Sequence, residues 1–186
     1  MPSDNRRATD LRVRRLTFSA LCLALAMVLP FLTGQIPQIG RLLSPMHIPA
    51  FLCGFLCGWP WGVAVGVISP ILRGVIFGMP ALFPTGVAMA FELAVYGAAA
   101  GIMYRVFRRT AWGTWAALGI AMVAGRVTYG LVMVLMVSAG LTPLGEGTTL
   151  LLVFLGPFTN TIPAVLLHAA LVPPIVIALE RAGMAG

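Results

Sequence analysis

Glu92, Arg126 and His168 are ionisable residues set inside long apolar runs. Glu92 lies 12 residues before Tyr104, Arg126 lies 12 after Thr114, and His168 lies 12 before Glu180. At about 1.5 Å per helical residue, each stands roughly 18 Å from one and the same side of a bundle, so three helices present polar groups in one layer. A charge at bilayer depth costs about 2.5–3.5 kcal/mol, and such residues are paired or functional. Tyr96 follows Glu92 at i+4 and Tyr129 follows Arg126 at i+3, so each aromatic shares a helix face with its charged neighbour. Thr159, Asn160 and Thr161 stand nearer the opposite side. Two readings are open: a structural Glu92–Arg126 ion pair locking two helices, or a small outward-facing cavity in which Glu92, Tyr96, Arg126, Tyr129, Asn160 and His168 contact a ligand. Arginine suits bidentate recognition of a carboxylate. Arg73 and His47, near the outer ends of the third and second apolar segments, are further ligand candidates. For Arg73 the alternative is snorkelling to the outer interface; for His47 it is a helix-start residue in contact with water. Arg41 reads as a loop charge.

The elements that must position these residues are membrane spans. The 186-residue chain is 60% hydrophobic and 9% charged, with a mean hydropathy of +0.99, which excludes an ordinary soluble domain. Arg6, Arg7, Arg12, Arg14 and Arg15 precede the first apolar run, Arg105, Arg108 and Arg109 follow a middle one, and Arg181 closes the last. Short arginine-rich flanks mark the cytoplasmic side, so both termini and one central loop are expected there and the number of spans is even. The expectation is an all-α bundle of six transmembrane helices over residues 16–181, preceded by a cytoplasmic basic tail, 1–15. The spans are placed at 16–33, 45–58, 62–77, 85–104, 114–138 and 159–180. The second is short, about 21 Å, with Pro45 and Pro49 in its first turn. Gly58 to Gly62, with two tryptophans, reads as a sharp interfacial turn on the inner side. The apolar loop from Gly78 to Pro84 is expected to be buried against protein or to line a cavity. Residues 150–158 read as a short apolar cap, and Pro163, Pro173 and Pro174 predict kinks in the last span.

Several functions are disfavoured by what the chain lacks. The net charge of +7 sits beside apolar segments rather than on a polar, aromatic-interleaved surface, so nucleic acid is not the expected partner. All twelve basic residues are arginine, so there is no GxxxxGK[ST] phosphate loop, and any ATP hydrolysis must come from another chain. Cys22, Cys53 and Cys57 lie in apolar runs without nearby His or carboxylate and read as packing residues, so no metal is expected. No cofactor is expected either. The first span lacks an A-x-A-like cleavage site and is expected to remain uncleaved. An intramembrane protease is the enzymatic alternative, but Ser19, Ser44, Ser69 and Ser138 lack a G-x-S-x-G setting, and by helix counting none shares the depth of His168. A structural membrane subunit without a ligand is the other. Small residues recur every four at Ala20/Ala24, Gly54/Gly58, Gly62/Gly66 and Gly97/Gly101, which lets helix backbones approach closely in lipid. The glycine pairs read as internal packing, whereas Ala20/Ala24, on a peripheral first span, is placed to meet another subunit.

Met46-His47-Ile48-Pro49 through Cys53-Gly54, with Gly58-Trp59-Pro60-Trp61-Gly62 through Gly66 and Ser69-Pro70, resembles the substrate-binding S components of energy-coupling factor transporters. Met89-Ala90-Phe91-Glu92-Leu93-Ala94 with Tyr96-Gly97, Gly125-Arg126 with Tyr129-Gly130, and Ile162-Pro163-Ala164 with His168 and Val172-Pro173 extend the likeness. It covers about Ala20 to Glu180. The resemblance implies a six-helix, multi-pass protein of a prokaryotic plasma membrane that captures a vitamin or similar nutrient from outside. Such a protein docks on a module of one transmembrane T subunit and two ATPase subunits. It implies that small residues of the first span, here Ala20 and Ala24, contact the T subunit, and that later helices and outer loops bind the ligand. With Arg126 present, a carboxylated vitamin such as pantothenate is the first expectation. His168 departs from the amide side chain expected at its position.

Overall fold

The apolar runs fold as seven α-helices among the described residues: α1 Pro2–Val28, α2 His47–Cys57, α3 Trp59–Phe77, α4 Val87–Phe107, α5 Gly113–Ser138, α6 Leu150–Thr159 and α7 Ile162–Arg181. The computed structural model describes residues 2–33, 42–107, 112–145, 147–159 and 162–182, with side chains from residue 9 onward. No strand occurs among them. Five stretches are long and apolar enough to cross a membrane: Thr9–Leu32, Trp59–Phe77, Leu82–Phe107, Gly113–Ser138 and Ile162–Arg181. α2 and α6 are shorter apolar helices. The arginine-rich stretch expected as a tail is helical and runs without a break into the first crossing segment.

α2 is the centre of the arrangement. All eleven of its residues are buried, as expected for a helix that is apolar on every face. At about 16 Å it is about half as long as the hydrocarbon is thick, so within a membrane at least one of its ends has to be enclosed by protein. α1, α3, α4 and α7 supply that enclosure. α3 packs along α4, α4 along α5, and α6 lies on α5, where Gly130 faces Phe154.

Close backbone approach explains the glycine spacing. A Cβ on Gly62 would stand 2.8 Å from the Cα atoms of both Gly54 and Gly97, so α2, α3 and α4 meet at a point where no side chain fits. The glycine pairs are thus internal packing, and dispersion between touching backbones is what associates helices in lipid. α2 and α3 are joined by Gly58 alone, at φ 93°, a conformation open to glycine and strained for other residues. The turn is therefore tighter than the five-residue segment expected: Trp59 already belongs to α3, and Pro60 sits in its first turn, where a missing N–H costs little. The side chain of Arg105 lies over this turn, 3.3 Å from where a Gly58 Cβ would be, so a turn without charge of its own borrows one from α4.

The segment between α3 and α4 departs from expectation. Leu82 and Phe83 are 45% and 49% exposed rather than buried against protein. Leu82 and the Pro80 carbonyl pack on Gly74 near the end of α3, and Leu82–Gly86 forms an irregular turn that feeds α4.

Candidate functional site

Glu92, on α4, is 1% exposed, and its carboxylate is the hub of a buried polar cluster. Oε1 accepts hydrogen bonds from Tyr96 Oη at 2.8 Å and from Arg126 Nη1 at 2.7 Å. Tyr96 reaches it because four residues make one turn of the same helix face. Arg126 arrives from α5, so the two residues with equal helix counts meet in one layer. Space for the tyrosine ring comes from Gly125: a Cβ there would overlap the Tyr96 ring. Burial of a carboxylate and a guanidinium is tolerated because each removes the other's net charge and the hydrogen bonds are charge-assisted.

The second carboxylate oxygen faces α2. Glu92 Oε2 lies 3.6 Å from His47 Nε2. The other nitrogen of that ring, Nδ1, donates to the Ser44 carbonyl at 2.9 Å, and His168 Nε2 from α7 donates to the same carbonyl at 3.2 Å. A carbonyl only accepts, so these contacts place a hydrogen on His47 Nδ1 and on His168 Nε2. His47 Nε2 is then a buried atom with no hydrogen-bond partner, aimed at a carboxylate. Without a proton it turns a lone pair on Glu92; with one it forms an ion pair.

Aromatic faces close the cluster. Phe51 stands 4.5 Å from Tyr96 and 5.6 Å from His168 between ring centroids, and His47 stands 5.4 Å from Tyr96 and 5.9 Å from His168. α2, α4, α5 and α7 thus each contribute to one small site with two imidazoles, a neutralised ion pair, a phenol and a phenyl ring. Chemically, it offers a small polar molecule the unpartnered His47 Nε2 beside the Glu92 carboxylate. Among the described residues no group of three or more His, Cys, Asp or Glu side chains is arranged to hold a metal ion.

Of the residues singled out in the sequence, Glu92, Tyr96, Arg126, His168 and His47 come together. His47 is 3% exposed, so the reading of a water-contacting helix start does not hold. Tyr129 is half-buried on α5, one turn beyond Arg126. Asn160 and Thr161 lie outside the described residues, and the exposed Thr159 closes α6 by donating to the Gly156 carbonyl at 3.2 Å. Arg73 is not part of the cluster. It is 4% exposed and donates to the Met27 carbonyl of α1 at 2.6 Å. Sequence reasoning missed Phe51, although its place four residues after His47 put it on the same face. It also missed Ser44: helix counting set its depth apart from that of His168, yet the carbonyl of this residue, whose φ is 43°, lies on both imidazoles. Both contacts are to the carbonyl oxygen, which leaves the absence of a G-x-S-x-G setting as the argument against a serine nucleophile.

Ala20 and Ala24 are exposed on α1, while Ser19, Cys22 and Ala26 are buried on its opposite face. The small residues thus look away from the bundle, among the exposed Leu16, Leu21, Leu25 and Val28.

Neither a curated protein nor a solved structure matches the chain. A family model does, that of the ECF transporter substrate-specific component, over residues 14–176. That range includes α2 to α5 entire, Glu92, Arg126, His47 and His168, and the exposed alanine face of α1. Nearly the whole bundle is covered, and with it the site: the chain belongs to the family of substrate-specific components of energy-coupling factor transporters, which are transporter subunits with a multi-pass helical membrane domain.

Proposed function

We propose that this chain captures a vitamin-sized nutrient at the cluster of Glu92, Tyr96, Arg126, His47 and His168, with Tyr129 and Asn160 as further contacts toward the outside. The observation that carries the proposal is the convergence of four helices on one buried polar site, while the buried Arg73 is spent on a helix end. A purely structural ion pair needs Glu92 and Arg126; it does not need two imidazoles and an aromatic wall around them. The ligand of first choice is a carboxylated vitamin such as pantothenate, its carboxylate taken by the Arg126 guanidinium and its hydroxyl or amide donors by Glu92 and His47.

In the same reading the five crossing segments and the half-length α2 make six helical passes, with both termini cytoplasmic in a prokaryotic plasma membrane. Arg105 over the Gly58 turn supports the inner placement of that turn. α1 docks on the T subunit of a module with two ATPase subunits through Ala20 and Ala24, whose exposure supports a contact outside the bundle.

A thermal-shift screen of the purified protein against water-soluble vitamins tests the site. A ligand at 100 times its Kd adds about 2.7 kcal/mol of stability, so pantothenate or another vitamin is expected to raise the midpoint by several degrees. Absence of a shift with every vitamin would sink the nutrient class proposed.

A further inference from the structure

We propose that Arg73 is a positioning residue that holds the outer end of α1, and with it the alanine docking face, by capping the last turn of α1 from α3. The inference rests on the reading of α1 as the docking helix. α1 ends at Val28 and continues as a short 3-10 turn, Leu29–Thr33. In 3-10 geometry the Met27 carbonyl would take the N–H three residues on, but that residue is Pro30 and has none. Arg73 Nη1 takes its place at 2.6 Å, across 46 residues of sequence. A cation at a helix C-terminus also meets the negative end of the helix dipole.

Two phenyl rings, side by side, cover the guanidinium. Its Cζ lies 5.3 Å from the Phe31 ring and 5.2 Å from the Phe77 ring, and the two rings meet edge-on at 5.1 Å. Phe31 follows Met27 by one turn and Phe77 follows Arg73 by one turn, so the end of α1 and the end of α3 supply one ring each. Both rings are part-exposed, so lipid meets phenyl faces while the charge stays covered. The capped carbonyl is three residues from Ala24, about 4.5 Å along the axis. On the opposite face of α1, Ser19 Oγ lies 3.4 Å from Cys53 Sγ of α2. Cys22 and Cys53 are both buried there.

Those thiols report on the clamp. In the full chain, Arg73→Met is expected to raise labelling of Cys22 by N-ethylmaleimide about tenfold, the loss of one charge-assisted hydrogen bond, with Cys57, at the far end of α2, little changed. Capture of a co-expressed T subunit and its ATPases is expected to fall with it. Arg73→Lys, which keeps a charge and a donor but not the planar guanidinium beside the rings, should fall between wild type and Arg73→Met. Unchanged Cys22 labelling and capture in Arg73→Met would overturn the proposal, as would an equal rise at Cys22, Cys53 and Cys57, which means general loosening. Should Arg73→Met fail to accumulate, the Phe31→Leu/Phe77→Leu double variant decides: raised Cys22 labelling supports the clamp and wild-type labelling refutes it. A wild-type chain that captures no T subunit sinks the docking role of α1, and labelling alone then judges the clamp.

Discussion

Arg126 and Glu92 each lose their counter-charge when the other is removed, and at their burial that loss is costly. Arg126→Ala is expected to lower stability by about 3–5 kcal/mol, because the Glu92 carboxylate is left buried and unneutralised. It should also abolish the stabilisation given by the vitamin found in the screen. Adding Glu92→Gln removes the stranded charge, so the double variant should regain much of the stability but not the ligand response. Thermal unfolding of the variants with and without ligand separates the two effects. If Arg126→Ala keeps the ligand shift and only melts early, the pair is structural and the ligand sits elsewhere. That these residues meet was legible from helix counting, since both helices run uninterrupted from the charged side to the site. His47 was legible as a candidate but not in its burial, because counting assumes that a helix starts at the surface, whereas the first turn of α2 is enclosed by protein. The contact made by Arg73 was not legible for another reason: its partner is a backbone carbonyl at a helix end far along the chain, and no side-chain pattern records that.

Opposite faces of neighbouring helices should answer small-to-large substitution in opposite ways. Ala24 is exposed on α1, so Ala24→Trp is expected to change stability by no more than about 0.5 kcal/mol while stopping uptake and capture of the T subunit. Gly62 faces backbone on two sides, so even Gly62→Ala should cost about 1–3 kcal/mol through overpacking. Melting in detergent and co-purification with the T subunit read the two effects independently. Loss of ligand affinity in Ala24→Trp with capture retained would move α1 from the docking face to the substrate site. The i,i+4 spacing of small residues announced the close contact among the glycines, and at the exposed alanines it is the basis of the docking proposal. Which contact is internal was legible only from position: the glycines flank the α2–α3 turn, and the alanines lie on a peripheral helix. The fate of the segment between α3 and α4 was not legible, since an apolar composition does not say whether leucine and phenylalanine meet protein or lipid.

Charge asymmetry and helix count belong to the molecule as a whole. Six passes with both termini inside predict that green fluorescent protein fused to either end will fluoresce and that alkaline phosphatase fused to either end will stay inactive. Active phosphatase at the C-terminus would mean that α2 does not count as a pass. The half-length, wholly enclosed α2 has a consequence for how the chain enters the bilayer. A segment of about 16 Å has no stable place in lipid by itself, and one glycine ties it to α3. The two must therefore partition as a single hairpin, His47 to Phe77, and the polar face of His47 finds its carboxylate only when α4 follows. During synthesis α1 thus precedes the hairpin in the membrane, and the Glu92 cluster is the product of late assembly, closed when α7 brings His168.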